Sequence, residues 1–360
     1  MAASSESRAR LRPALKITTG QLLLWLAAGI VLALVVWRIA GTLAQNKYGI
    51  NVWILQVING TVQGSMYALI ALGYTLVYGI LFMINFAHGE IFMIGAMAGY
   101  FTLTGLDRAG HLDSNPVMVV LVTFVVGMVV PLFSGVFLER LAYRPLRRAP
   151  RLVPLISAIG ASFFLQQAAR LLFGIRMKVY PTVDFLSGAW DVELSGGGMV
   201  RIQHMGVAII VITVLLMIGL YVLVQRTKMG KAMRAVAEDK DTAALMGIDV
   251  NRVIMVTFAI SGALAGAAGV MWGLWYKQIT HTVGFMPGIK AFTAAVLGGI
   301  GNVPGAMLGG LFLGLVEAMA PTALDISTQL KDVISFGLLV VVLIFRPSGL
   351  LGEVLSDKKA

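Results

Sequence analysis

Long apolar runs alternate with short, mostly basic, polar stretches along this chain, near 20–39, 52–82, 88–104, 117–139, 153–173, 205–225, 253–275, 289–320 and 331–345. A hydrocarbon core takes about 20 helical residues to cross, and within it only helices or closed barrels satisfy their own backbone. The pattern predicts an all-α polytopic membrane protein with about eight transmembrane helices plus broken or re-entrant helices. Two runs do not read as simple spans. Residues 52–82 are too long and carry Asn59-Gly60 and Gly64, which predicts a short broken or re-entrant piece leading into an inward helix. Residues 289–320 carry Gly298-Gly-Ile-Gly-Asn-Val-Pro304-Gly, where Pro withdraws a helical donor and Gly weakens the helix. That predicts two half-helices that dip in and return to the same side. Paired breaks, here 56–75 and 291–314, point to a translocation site near the midplane.

Composition agrees with the pattern. The chain is 58% hydrophobic and 12% charged, outside the soluble range of about 45–50% apolar and about 25% charged. Its net charge of +11 gathers at the ends of the runs: Arg8 to Lys16, Arg140 to Arg151, Arg226 to Arg234, and Arg346 with the Lys358-Lys359 tail. Cytoplasmic loops carry excess Lys and Arg, so the charge is read as orientation, with both termini cytoplasmic and no nucleic-acid partner. Residues 1–49 then hold a cytoplasmic segment, a first transmembrane helix and the start of an external loop. Residues 50–360 form a transmembrane domain with an external loop at 174–203 and a cytoplasmic loop at 226–252. The basic start, the run Leu22 to Val36 and Thr42-Leu-Ala44 also resemble a secretory signal, but further spans follow, and an uncleaved first helix is the reading adopted. No Cys is present, which excludes disulfides, thiolate metal sites and a Cys nucleophile. Gly95/Gly99, Gly262/Gly266, Gly305/Gly309 and Gly310/Gly314 have the spacing that lets membrane helices approach closely.

The polar loop RTKMGKAMRAVAEDKDTAALMGIDVNR is Ala-rich and favours helix. Asp241 or Thr242 would cap a short helix that stops at Gly247. By itself this fits either a docking helix or a surface helix that closes a loop.

This loop and the following VTFAISGALAGAAGVMWG resemble the cytoplasmic coupling region and adjoining helix of ABC importer permeases. YGILFMINFAHGEIFMIGAMAGY at 78–100 and FTAAVLGGIGNVPGAMLGGLFLGLVEAM at 292–319 resemble, more specifically, LivH-type permeases of branched-chain amino acid ABC importers. The likeness runs over nearly the whole chain from about residue 50. It implies an ABC importer permease fold in a bacterial inner membrane, a second homologous permease subunit, two cytoplasmic ABC ATPase subunits and an external substrate-binding protein. It also makes Glu238, Asp239, Asp241, Thr242, Ala243, Ala244, Leu245, Met246 and Gly247 the ATPase-docking element. The chain has no G-x-x-x-x-G-K-[ST], since Gly230-Lys231 is followed by Ala, so no phosphate-cradling loop of its own is expected.

Candidate chemistry within the spans is sparse. Asn85, His88 and Glu90 interrupt FMINFAHGEIFMIG, and intramembrane ionisable groups tend to face a protein interior or a watery cavity. His88-Gly-Glu90 is not H-E-x-x-H, and no Cys ligands exist, so neither catalysis nor a metal or other cofactor is expected. Two compatible readings remain: these groups cap a helix starting near 88, with Glu90 favoured in its first turn, or they line or gate a substrate path near its cytoplasmic end. Gly298, Gly299, Gly301 and Asn302 would allow close backbone approach at the second break. Asp184, Trp190, Asp191 and Glu193 would receive the binding protein, or form a plain solvated loop. The chain is therefore read as an importer permease, not an enzyme. An ion-coupled secondary transporter or channel is the alternative, and it would be expected to carry several intramembrane acids.

Overall fold

The computed structural model describes residues 33–352, less 148, 151, 195–197 and 347. Two compact units are present: 48–322 with 326–360, and a small one of 1–47 with 323–325. In the small unit the described helix α1 spans Ala33–Ala44 and includes Thr42 to Ala44. Lys47 Nζ lies 2.6 Å from both Asp325 carboxylate oxygens. The rest of the first predicted helix, 20–32, lies outside the described residues.

The larger unit is built on α2, Ile50–Leu81, which is buried along nearly its whole apolar window. Then follow α3 (His88–Arg108), α4 (His111–Ser114) and α5 (Pro116–Leu138), the last continuing through a π turn (Glu139–Tyr143) and a short 3-10 turn (Arg144–Leu146). Next come α6 (Leu152–Phe173), β1 (Lys178–Val179), α7 (Asp184–Ser187), β2 (Ala189–Glu193) and β3 (Met199–Gln203). The chain continues through α8 (His204–Arg226), α9 (Lys228–Glu238), α10 (Lys240–Leu245), α11 (Val250–Tyr276) and β4 (Gln278–Ile279), and ends with α12 (Phe285–Gly298), α13 (Val303–Leu324) and α14 (Lys331–Phe345). Among the described residues eight helices are long and apolar enough to cross a membrane, and α12, at 14 residues, is a half-length piece.

Helix α2 is unbroken over 32 residues, so the interruption expected at Asn59-Gly60 and Gly64 is absent. Its glycines serve contact, not breakage. A Cβ on Gly60 would lie 2.9 Å from Leu315 Cα, and one on Gly64 would lie 2.9 Å from Leu311 Cα. Gly310 faces the Ala68 backbone and Gly314 the Gly64 backbone. The seam Gly60, Gly64, Ala68 therefore runs antiparallel against Gly310, Gly314, Ala318, and the two backbones touch through it. A helix of 32 residues is about 48 Å long, longer than a hydrocarbon core of about 30 Å, so it must tilt or project beyond it.

A second small-residue seam joins α3, α5 and α11. Gly95 faces the Gly266 backbone and Gly99 meets Val270, so α3 and α11 run parallel. Gly127, Pro131 and Gly135 of α5 meet Val270, Gly262 and Phe258 in reverse order, so α5 is antiparallel to both. All four predicted glycine pairs thus serve packing inside the chain. The break between α12 and α13 is real: Gly299 and Gly301 take φ of 106° and 95°, and Gly309 packs on Ala294 and Gly298, closing an antiparallel hairpin. Its second arm is a full 22-residue helix, not a half-helix.

The stretch 174–203 is more regular than predicted. β2 and β3 pair antiparallel from Ala189↔Gln203 to Glu193↔Met199, and β1 pairs with β4 through Lys178↔Ile279. Ser195 to Gly197 lie outside the described residues. The alternation of Val192, Val200 and Ile202 with polar neighbours carries the strand signal, hidden in the sequence by the Gly run beside it.

Because backbone forms the wall opposite Gly314, a side chain there has nowhere to go. Gly314→Val should lower stability by about 3 kcal/mol, the upper part of the range for overpacking. Gly219→Val, where a Cβ meets nothing within 4 Å, should not. Thermal unfolding of the detergent-solubilised chain measures both, and equal melting of Gly314→Val and wild type would refute the seam.

Candidate functional site

Helix α2 stops at Leu81 because Phe82 turns left-handed (φ 56°), with its N–H on Tyr78 O at 2.8 Å. The chain then re-enters the bundle without helix until His88 begins α3. Asn85, His88 and Glu90 are all buried. They do not cap the helix through side chains: Ala87 is the N-cap and accepts no side-chain partner, while His88 N donates to Asn85 O at 3.1 Å. The side chains reach sideways instead, to four other elements.

Asn85 Oδ1 accepts from Tyr143 OH at 2.9 Å. The His88 ring stands edge-on to Tyr74, 4.7 Å between centroids, with Nδ1 3.3 Å from Ser261 Oγ. Ser261 donates to Gly73 O at 3.0 Å. Ser261 thus bridges the α2 backbone and the His88 ring. Gly73 is obligatory, since a Cβ would strike the ring. Glu90 Oε1 accepts from Gln166 Nε2 at 2.7 Å and Ser162 Oγ at 3.2 Å. Asn85 Nδ2, His88 Nε2 and Glu90 Oε2 have no partner among the described residues. Ser162 and Gln166 lie ten and fourteen residues past Leu152, about 15 and 21 Å into α6. Glu90 therefore lies against the middle of α6, whereas Asn85 meets Tyr143, three residues before the end of the α5 span at Leu146.

Gly298, Gly299, Gly301 and Asn302 form a separate group. Gly301 faces Gly79 of α2, six residues beyond Gly73 and so about 9 Å further along. The turn is covered by the C-terminal stretch: Leu350 N and Leu351 N donate to Leu297 O and Gly298 O at 2.8 and 3.0 Å, and Asn302 Nδ2 donates to Leu351 O at 2.8 Å.

A third polar cluster was not singled out in the sequence. Lys290 of α12 is buried and lies 2.6 Å from both Glu317 Oε1 of α13 and Asp332 Oδ1 of α14. Gln63 of α2 donates to the same Glu317 oxygen at 3.0 Å, Ser335 reaches the other at 3.4 Å, and Lys331 stands 3.6 Å away. Two cations and two carboxylates so tie four helices together. A lone Lys in the apolar stretch GIKAFTAAVLG and a lone Glu in GLFLGLVEAM were the available signals.

The loop 226–252 folds as two helices. Thr227 caps α9, its Oγ1 accepting from Gly230 N at 3.1 Å, and Gly230, Met233 and Val236 form its buried face. Asp239, not Asp241 or Thr242, caps α10, accepting from Asp241 N and Thr242 N at 2.9 and 3.0 Å. Those N–H groups hold its carboxyl below the usual carboxylate range. The helix starts two residues earlier than expected because Asp239 has the extended backbone a cap needs. Glu238 ends α9, Thr242 and Ala244 are exposed, Ala243 packs inward, and Gly247 leaves the helix at φ 82°. Leu245 and Met246 project outward, 88% and 78% exposed. Among the described residues no group of three or more His, Cys, Asp or Glu could hold a metal ion.

Removing one partner of a buried ion pair strands the other, a loss of about 3–5 kcal/mol. Lys290→Met should therefore destabilise strongly, and Glu317→Gln added to it should restore part of the loss. Thermal unfolding of the two variants decides, and an unchanged melting temperature for Lys290→Met would show that the cluster carries no stability.

The family described as "Branched-chain amino acid transport system / permease component" matches residues 56–343. The high-affinity branched-chain amino acid transport system permease protein BraD of Pseudomonas aeruginosa is 49% identical over 309 residues, covering 85% of this chain and 98% of that protein. The corresponding LivH of Escherichia coli K12 is 46% identical over 303 residues, covering 84% and 96%. A probable branched-chain amino acid transport permease protein LivH of Methanocaldococcus jannaschii is 29% identical over 298 residues, covering 81% and 90%. No solved structure is a significant match. With a family match over most of its length, close relatives aligned nearly end to end and eight helices able to span a membrane, the chain belongs to the permease components of branched-chain amino acid transport systems.

Proposed function

We propose that this chain is a permease subunit of an ABC importer in a bacterial inner membrane, carrying branched-chain amino acids or related amino acids, amides or urea. With a second homologous permease subunit it forms the translocation path. Two cytoplasmic ABC ATPases drive alternating access, and an external binding protein delivers substrate. Both termini are cytoplasmic, and the chain itself catalyses no covalent step.

The observation that carries this reading is α10. Two large apolar side chains, Leu245 and Met246, stand almost fully exposed at the end of a short capped helix, on the basic side that the charge rule assigns to the cytoplasm. A surface apolar pair next to charged residues suits a groove on a partner. Glu238 to Gly247 is thus the ATPase-docking element. At the other end, the β2–β3 hairpin presents Trp190, Asp191 and Glu193, with Asp184 nearby in α7, as the surface for the binding protein.

The belt of Asn85, His88 and Glu90 is the gate of the substrate path. An amino acid zwitterion needs acceptors and donors in turn, and the three unpartnered atoms supply both. Gly298, Gly299, Gly301 and Asn302, at the joint between α12 and α13, line the same path further along α2.

Leu245→Asp with Met246→Asp should abolish recovery of ATPase subunits when the tagged chain is pulled from gently solubilised native membranes, at unchanged permease level. The exposed positions leave folding within about 0.5 kcal/mol. Recovery unchanged would place docking elsewhere. A chain that brings no ATPase and transports down an ion gradient alone would establish the ion-coupled carrier instead. In proteoliposomes of the assembled importer, Glu90→Ala should slow uptake about ten- to hundredfold, the worth of one charge-assisted hydrogen bond. An unaltered rate would remove Glu90 from the path.

A further inference from the structure

Two concavities share one stretch of chain, the turn that ends α5. The first is an apolar groove of about 650 Å³ between α5 and α6, walled by Phe133, Phe137 and Leu141 on one side and Ala161, Phe164 and Leu165 on the other, with Arg140 at its edge. The second, a few residues further on, is a polar cavity of about 600 Å³ lined by Arg144, Arg147, Lys240, Asp241 and Asn251. We propose that together they hold an anionic phospholipid, its acyl chain in the α5–α6 groove and its phosphate in the basic cavity beside α10.

Charge balance favours an anion in that cavity. Arg147 is held by Glu139 and donates to Asn251 Oδ1 at 2.7 Å, so its charge is answered. Among the described residues no carboxylate forms an ion pair with Arg144 or Lys240, and Asp241 is the single acid in the lining. Burial and the neighbouring Arg147 cation lower the Lys240 ammonium below its ordinary value, against the support of Asp241. Burial likewise lowers Arg147, with Arg144 adding to the effect against the support of Glu139. Arg144 and Lys240, the two cations without an ion pair, line a space that a phosphate would fill, and the planar guanidinium of Arg144 suits its oxygens.

The source of the phosphate follows from the groove. Its walls belong to α5 and α6, both of span length, so an acyl chain is what lies beside them in a bilayer. Basic pockets between transmembrane helices on the cytoplasmic side are suited to anionic headgroups. Lys240 and Asp241 are also the first residues of α10, so occupancy would brace that helix against the end of α5. This holds whether or not α10 docks an ATPase.

Native mass spectrometry of the full-length chain in mild detergent tests the site, with phosphatidylglycerol, phosphatidylcholine of the same acyl chains, and glycerol 3-phosphate as probes. Phosphatidylglycerol should bind at least about tenfold more tightly than phosphatidylcholine, and Arg144→Gln with Lys240→Gln should weaken it about thirtyfold, the effect of two charges near an anionic lipid. Phe137→Ala with Phe164→Ala, both on exposed positions, should weaken it through the acyl contact alone. Equal binding of the two lipids, or a charge variant that binds like wild type, would overturn the proposal. So would glycerol 3-phosphate binding as tightly as the lipid, which would make the site one for free phosphates. A lipid-free dimer lost in the phenylalanine variant would make the groove an interface between copies.

Discussion

Close backbone contact between helices is the constraint on which this bundle rests. Lipid is as apolar as Leu, so side-chain burial offers helices little reason to associate in a membrane, and packing must come from surfaces that fit closely. Helix α2 meets that demand by presenting Gly60, Gly64 and Ala68 to the matching small residues of α13. Helices α3, α5 and α11 meet it through Gly95, Gly127, Gly262 and Gly266. Once these seams close, α2 is buried continuously from Gly64 to Val77, and polar groups beside that stretch are drawn to partners inside the protein.

The polar groups follow that geometry. His88 fits only because Gly73 leaves room for its ring, and Ser261 joins the two through hydrogen bonds to each. Glu317 is reached from Gln63 on α2, Lys290 on α12 and Ser335 on α14, so one carboxylate gathers the helices that the glycines bring close. The two clusters differ in completeness. The Lys290–Glu317–Asp332–Lys331 group balances its charges internally, as a structural element should. The Asn85–His88–Glu90 belt leaves donor and acceptor atoms open, which is costly unless something occupies them part of the time.

Much of the fold was legible in the sequence because hydropathy and length decide spans directly. The ends of α3, α5, α6, α8, α11 and α14 fall within a few residues of the runs that announced them. What misled was glycine. Gly60 and Gly64 read as breaks, yet they lie in continuous helix, whereas Gly299 and Gly301 read as a break and are one. A single sequence does not distinguish a glycine kept for close approach from one kept for positive φ, since both require only the absence of Cβ. The partners of Asn85 and Glu90 were not legible, because Tyr143, Ser162 and Gln166 lie 58 to 76 residues further along the chain. Lys290 was passed over because its partners, Glu317 and Asp332, are 27 and 42 residues away and only the α12–α13 hairpin brings them together.

The same packing sets how a displacement at α10 would travel. Only four residues separate α10 from α11, and Asp249 among them caps α11 by accepting from Arg252 N at 3.1 Å. Beyond that cap α11 is locked to α3 and α5 through backbone contacts at Gly262, Gly266 and Gly269, which leave no flexible side chain to absorb a shift. Interfaces of this kind move as units or not at all. Ser261 lies on that helix, one hydrogen bond from Gly73 and one from His88. Under the proposed function, a force applied at α10 would reach the belt through α11 moving as one unit, and Ser261 would be the point at which translation of α11 alters the surroundings of His88.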